Sequence, residues 1–426
     1  MIGSDRNTNT NYSPMTTKKR FYLSWIVMVL SAIIVISANT IFVPATSYIA
    51  KDLGVEEAAM SSNMVFSRIS MIICMFCFAA FADLFTSRRL MQMGLITCTI
   101  SCALSALSKS IYMFDIAQII EAISRATVML TMQLWIAGIS NKDNLATRLS
   151  WYTILITISP IIAPSVGGVI AEKASWQYCF IVLGVLSVAM LAGISIFRIQ
   201  EKTEVQELSN NRPKFSPKET LREYRQVILH SPLLALSFSL GWMAWFEGGY
   251  LAITSFLFVD ELGLNAAQLG GIIMVYVLGA FAGRFPIMYL QKHYKPHVTF
   301  LYHQAVVLLA TIGALAYRLI VGHHDIIEIT VVMAVFGFGF SGMYIYCLRN
   351  SMMIEPEKKS VYTSLFNSIY SIAALAGVLT IQGLYLTKFS SVNIFQTLAA
   401  TSTVFMLVGI VLHLKALKKM NKENIL

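Results

Sequence analysis

The sequence predicts an all-α membrane protein with twelve transmembrane helices arranged as two six-helix bundles. Three observations carry that expectation. Hydrophobic residues make up 56% of the chain and charged residues only 13%, with a mean hydropathy of +0.66, a composition outside the globular range. Apolar runs long enough to cross a hydrocarbon core of roughly 30 Å recur along the whole length. One polar stretch, at 199–232, divides these runs six and six, and each side carries a copy of a short repeat. Asp52-Leu53-Gly54-Val55, ahead of the second run, returns 209 residues later as Glu261-Leu262-Gly263-Leu264, ahead of the eighth.

The spans fall at about 21–45, 59–82, 90–108, 112–138, 149–171, 177–198, 233–258, 267–289, 298–320, 327–349, 360–386 and 392–415. They define a tail at 1–20, a first bundle at 21–198, a linker at 199–232, a second bundle at 233–415 and a tail at 416–426. Span 1 is too long for the core of a signal peptide and has no small-x-small cleavage site, so it counts as a span. Of the 32 Lys and Arg, 24 gather on one side, five on the other (Lys51, Lys109, Lys173, Arg318 and Lys388), and three lie within spans. That asymmetry is the positive-inside pattern, and it predicts a multi-pass protein with both termini in the cytoplasm. The net charge of +10 is therefore a topology signal, and no nucleic-acid partner is expected. All six cysteines fall within spans; Cys74-x-x-Cys77 has zinc-like spacing but lacks two further ligands, so packing is the default and no metal is expected.

Five charged side chains sit inside these spans: Arg68, Glu121, Arg125, Glu247 and Arg284. A charge near the bilayer centre costs roughly 2.5–3.5 kcal/mol on insertion scales, so each must face protein or water. The nearly balanced set predicts a polar pathway. Arg68, in span 2, either snorkels or partners one of the acids. After span 2 comes Ala79-Ala80-Phe81-Ala82-Asp83-Leu84-Phe85-Thr86-Ser87-Arg88-Arg89. Asp83 lies on the same membrane side as the start of span 11, near Ser360. A helix N-terminus there would attract it by typically 0.3–1 kcal/mol and up to about 2. Asp83, Arg88 and Arg89 are thus the expected gating loop; the plainer reading is a solvated turn.

Span 4 reads Gln118-Ile119-Ile120-Glu121-Ala122-Ile123-Ser124-Arg125, and spacings of three and four put Gln118, Glu121 and Arg125 on one face. Glu121 lies about nine residues into the span, roughly 14 Å deep. It is either a proton site beside a guanidinium or half of a structural ion pair. Span 5 carries Ser159-Pro160-Ile161-Ile162-Ala163-Pro164-Ser165-Val166-Gly167-Gly168. Two prolines and a glycine pair are tolerated where neighbouring helices satisfy the freed backbone. Span 7 contains Trp242-Met243-Ala244-Trp245-Phe246-Glu247-Gly248-Gly249-Tyr250, with Glu247 near mid-membrane. Trp245 and Tyr250 could stack on a substrate or serve as packing and interface anchors. In span 8, Gly279-x-x-x-Gly283 is a packing signal.

The span 5 run resembles the G-x-x-x-G-P-x-x-G-G signature of major facilitator antiporters. Pro164, Gly167 and Gly168 match it; Pro160 precedes, and Ser159 and Ala163 replace two glycines. The A-P-x-x-G-G form of the bicyclomycin-resistance-type (Bcr/CflA) drug:proton antiporters is closer still. Trp176-Gln177-Tyr178-Cys179-Phe180 resembles their W-R-x-x-F opening of span 6. The loop after span 2 is similar to the superfamily's G-x-L-A-D-R-x-G-R-R motif, with Asp83 and Arg88 in place. Span 4 aligns with R-x-x-Q-G-x-G, where Gln118 stands for the Arg and Glu121 for the Gln. Many such proteins carry an acid four positions before a proline in span 1. Here Thr40 precedes Pro44 and the span has no carboxylate, leaving Glu121 or Glu247 for proton coupling.

The resemblance implies the major facilitator fold, a cavity lined by spans 1, 4, 7 and 10, a monomer, and a bacterial cytoplasmic (inner) membrane. It implies a proton-coupled exporter of small organic molecules working by alternating access, with Arg68, Gln118, Arg125, Trp245 and Tyr250 near the substrate. The alternatives are an importer or symporter of a small anionic or zwitterionic solute and a non-transporting receptor or assembly factor. No P-loop, H-E-x-x-H or nucleophile-elbow pattern occurs, so neither an enzyme nor a cofactor is expected, and an ion gradient supplies the energy.

Overall fold

The computed structural model of the protein describes residues 17–42, 45–55, 57–82, 84–141, 143–197, 222, 224–227, 231–255, 257–258, 262–263, 266–386 and 390–422. In chain order its helices are α1 (Thr17–Thr40), α2 (Thr46–Leu53), α3 (Glu57–Ala82), α4 (Ser87–Ala106), α5 (Ile111–Ile139), α6 (Leu145–Ile156), α7 (Ile158–Lys173), α8 (Gln177–Ile196), α9 (Ser231–Ser255), α10 (Ala266–Ala282), α11 (Arg284–His293), α12 (Pro296–Val321), α13 (Ile326–Ile354), α14 (Lys359–Leu386) and α15 (Ser391–Lys422).

Local chemistry sets the ends of these helices. Ser110 Oγ accepts the Met113 N–H at the start of α5 (3.4 Å), and Asp325 Oδ1 accepts the Glu328 N–H at the start of α13 (2.8 Å). Thr86 accepts the Arg89 N–H ahead of α4. A threonine thus serves as N-cap at a position where the superfamily motif has another residue. The repeated turn of the two halves has a physical basis: Gly54 and Gly263 both adopt left-handed backbone, at φ +65° and +70°.

Eight helical stretches among the described residues are long and apolar enough to cross a membrane: Phe21–Thr40, Ile111–Ile139, Leu145–Ala171, Gln177–Ile196, Val298–Val321, Ile326–Ile354, Pro356–Ile381 and Ser391–Lys415. The other four predicted spans are also helical, in α3, α4, α9 and the α10–α11 pair. Three boundaries differ from expectation. Span 1 stops at Thr40, and a separate short helix, α2, follows before Gly54. Span 5 breaks at Thr157, because Pro160 has no N–H to give the Ile156 carbonyl. Span 8 breaks at Gly283.

Within the first part of the chain, α5 packs on α1, α3 and α4, and α8 packs on α1 and α4. In the second, α9 packs on α14 and α15, while α13 packs on α10 and α12. The two groups meet where α3 touches α14 and where α6 touches α11 and α13.

Gly279 and Gly283 let α10 approach α13 backbone to backbone. A Cβ on either would overlap the carbonyl of Ala334 or Phe338, and Gly337 returns the contact against the Tyr276 carbonyl. This crossing fixes the backbone of Tyr276, a residue of the cavity described below. Gly279→Val should therefore destabilise the protein by about 1–3 kcal/mol, the usual cost of overpacking, read as a lower melting temperature in detergent. An unchanged melting temperature would mean that the two helices separate freely.

Candidate functional site

Where the two helix groups meet they enclose a cavity of about 340 Å³. Its walls come from α3, α5, the α6–α7 junction, α9, α10, α11, α13 and α14, that is, from spans 2, 4, 5, 7, 8, 10 and 11. Of the four spans expected to line it, 4, 7 and 10 do so. Span 1 contributes no lining residue among those described.

Glu247 faces this cavity. Its two oxygens are held separately: Tyr276 Oη donates to Oε1 and Tyr370 Oη donates to Oε2, the latter at 3.0 Å. The tyrosines come from α10 and α14, so three helices converge on one carboxylate. Phe340 stacks on Tyr370, with ring centroids 6.2 Å apart, and Tyr344 meets it edge-on at 5.6 Å. The carboxylate therefore lies against an aromatic wall.

At one end the cavity is closed by a ring of hydrogen bonds joining the two helix groups. Gln133 Nε2 donates to Tyr344 Oη (3.0 Å), Tyr344 Oη donates to Asn367 Oδ1 (3.0 Å), and Asn367 Nδ2 donates to Gln133 Oε1 (2.9 Å). Gln133 lies six residues before the end of α5 and Asn367 eight residues into α14, so the seal is near the ends of the helices. On the same side Arg284, at the start of α11, donates to the Thr153 carbonyl (2.7 Å) and to the Thr157 hydroxyl, where span 5 is broken.

The other expected site residues are dispersed. Glu121 and Arg125 form a buried ion pair 3.5 Å apart, and neither lines the cavity. Gln118 donates to Ser105 Oγ on α4 (3.3 Å), and Arg125 to Ser67 Oγ on α3 (3.5 Å). These residues therefore make a second polar cluster among α3, α4 and α5. Arg68 is exposed, one turn along α3 from the lining residue Met71. Trp245 turns away from the cavity and donates to Thr380 Oγ1 (3.2 Å), while Tyr250 packs edge-on against Phe395.

In the span 5 run, Pro160 lines the cavity and Ser159 bonds Ser37 of α1 at 3.0 Å. Gly167 lets α7 cross α1, since a Cβ there would overlap the Ile41 carbonyl. Gly168 is half-buried, and Pro164 lies in α7. Asp83 and Pro44 lie outside the described residues. Arg88 donates through Nε to the Ile194 carbonyl (3.1 Å) at the end of α8, a helix C-terminal cap, and Arg89 is exposed. Trp176 and Gln177 both donate to Asp52 (3.0 and 3.1 Å), and Trp176 packs with Phe114 and Phe180, so that motif builds the bundle's end.

Sequence reasoning missed Tyr276, Tyr370, Gln133, Tyr344 and Asn367, and it noticed Arg284 without assigning it to the site. The amides were visible as polar groups within apolar spans, the class of residue that must find a partner away from lipid.

Residues 28–378 match the Major Facilitator Superfamily. The chain is 20% identical over 349 residues to an uncharacterized transporter of Rickettsia felis, covering 80% of this chain and 84% of that protein. A bicyclomycin resistance protein homolog of Haemophilus influenzae is 21% identical over 59% of this chain and 58% of its own. The chloramphenicol resistance protein CraA of Acinetobacter baumannii is 20% identical over 76% and 78%. Among solved structures, the human organic anion transporter MFSD10 superposes with a TM-score of 0.69 at 15% identity, over 93% of this chain and all of that one. The match spans most of the sequence and agrees with the all-helical fold: the chain belongs to the Major Facilitator Superfamily and is a membrane transporter, not an enzyme.

Proposed function

We propose that the protein is a proton-coupled secondary transporter that exports small organic molecules by alternating access, with Glu247 as the carboxyl that takes and releases the proton. The observation that carries this reading is a carboxylate facing the inter-bundle cavity with both oxygens held by tyrosine hydroxyls. Desolvation and hydrogen bonding act on such a group in opposite directions, so a change in access can change its protonation. Twelve spans in two six-helix bundles, at 21–198 and 233–415 around the linker, give the two bodies that rock about the cavity. With both termini in the cytoplasm, the Gln133–Tyr344–Asn367 ring is the closed cytoplasmic gate, and the outer side is the accessible one.

Export is favoured by two relatives named for bicyclomycin and chloramphenicol resistance. A bacterial inner membrane and a monomer complete the reading. Glu121 is the second candidate for the proton site. An importer or symporter of a charged solute is the second functional reading, favoured by the Arg284 guanidinium in the same cavity.

The test is an imposed pH gradient in everted membrane vesicles. Chloramphenicol added to vesicles carrying the protein is expected to release part of the gradient, read as dequenching of a pH-sensitive dye, and vesicles without the protein should not respond. Equal responses in the two would count against drug:proton antiport.

A further inference from the structure

We infer that the cavity also takes molecules that carry an anionic group, a carboxylate or phosphonate, beside uncharged ones, and that Arg284 is the anchor for that group. This rests on the transporter reading above but not on the direction of transport. Arg284 lines the cavity, and its Nη1 is committed to the Thr153 carbonyl and the Thr157 hydroxyl. Its Nε and Nη2, the side-on fork that pairs with a planar anion, have no hydrogen-bond partner among the described residues. Arg284 forms no ion pair with a carboxylate among the described residues. Glu247 shares the cavity, but both its oxygens are held by tyrosines. Arg284 is half-buried, so this edge opens on the cavity, and a guanidinium with only neutral acceptors around it is placed to pair with an anion that enters.

The surroundings supply the rest of an anion site. Tyr152 Oη and Ser341 Oγ also belong to the cavity wall; these residues are 1% and 3% exposed, and neither atom has a hydrogen-bond partner among the described residues. Two buried hydroxyls without partners cost free energy that a ligand oxygen would recover. The aromatic wall of Phe340 and Tyr370 then suits a flat apolar body on the same molecule. A small aromatic acid fits a chamber of about 340 Å³.

The experiment measures binding to the purified full-length protein in detergent, by calorimetric titration. Benzoate, salicylate and phenylphosphonate are compared with the uncharged benzamide and salicylamide. At least one of the anions is expected to bind at millimolar concentration, and neither amide should match it. Arg284→Gln should weaken that binding roughly tenfold or more, the scale of a lost charge-assisted hydrogen bond. Arg225→Gln, which removes an exposed guanidinium of the linker, should leave it intact. If Arg284→Gln fails to fold, Arg284→Lys carries the test: it keeps the charge without the planar fork and should also weaken the anion. The inference is overturned if no anion in the set outbinds its amide, or if the Arg284 variants bind it as the wild type does. Binding is read without a gradient, so its failure is distinct from failure of proton coupling in vesicles.

Discussion

Glu247→Gln is expected to abolish substrate-evoked proton movement while leaving the protein folded. Glutamine has the same shape and keeps one oxygen for a tyrosine hydroxyl. Its amide can donate to the other tyrosine, whose oxygen also accepts. The aromatic packing of Phe340, Tyr344 and Tyr370 is untouched. What disappears is the only group on the cavity wall, among the described residues, that can alternate between a carboxylate and a carboxylic acid. In everted vesicles the dequenching response should fall to the level of vesicles without the protein. Exchange of labelled for unlabelled substrate, which needs no net proton flux, should continue. That split separates a coupling residue from one that merely shapes the cavity, since damage to the cavity would stop both. A Glu247→Gln protein that still dissipates the gradient at the wild-type rate would move the assignment to Glu121.

That ambiguity between two acids shows what the sequence made legible. Counted along their spans, both acids are expected near mid-membrane, and a rule about buried charges selects them equally. The rotation of each helix decides which one meets the cavity. Along α5 the series Glu121, Arg125, Met129 and Gln133 advances four residues at a time, and an α-helix turns by about 120° over those three steps. Its far end therefore lines the cavity with Met129 and Gln133, while its near end presents Glu121 and Arg125 to α3 and α4. No count of spacing within one helix supplies that angle, because it depends on neighbours chosen elsewhere in the chain.

Features whose physics is local were readable. Gly54 and Gly263 mark matching left-handed turns, and Gly279-x-x-x-Gly283 marks a close helix crossing. Features made of distant partners were not. Gln133 and Asn367 are 234 residues apart, and Tyr276 and Tyr370 read as packing aromatics until they are seen to share one carboxylate.

The Glu121–Arg125 pair yields the other large effect. Replacing Glu121 alone with Leu should cost about 3–5 kcal/mol, the penalty for leaving one member of a buried pair without its counter-charge. The double variant Glu121→Leu/Arg125→Met should recover most of that loss, and such exchanges are often neutral or stabilising by about 1–4 kcal/mol. The geometry favours recovery. The pair has a single contact at 3.5 Å, and neither Glu121 oxygen nor Arg125 Nε has a hydrogen-bond partner among the described residues. Desolvation of the two ions is thus offset by little besides their mutual attraction. Melting in detergent reads the stability of all three proteins, and the vesicle assay reads their coupling. A double variant that is stable and still moves protons on adding substrate would make the pair, which lies within α5, dispensable for both folding and coupling. A double variant that is stable yet uncoupled would make Glu121 the proton carrier, and Glu247 would then be a fixed anion held in place by its two tyrosines.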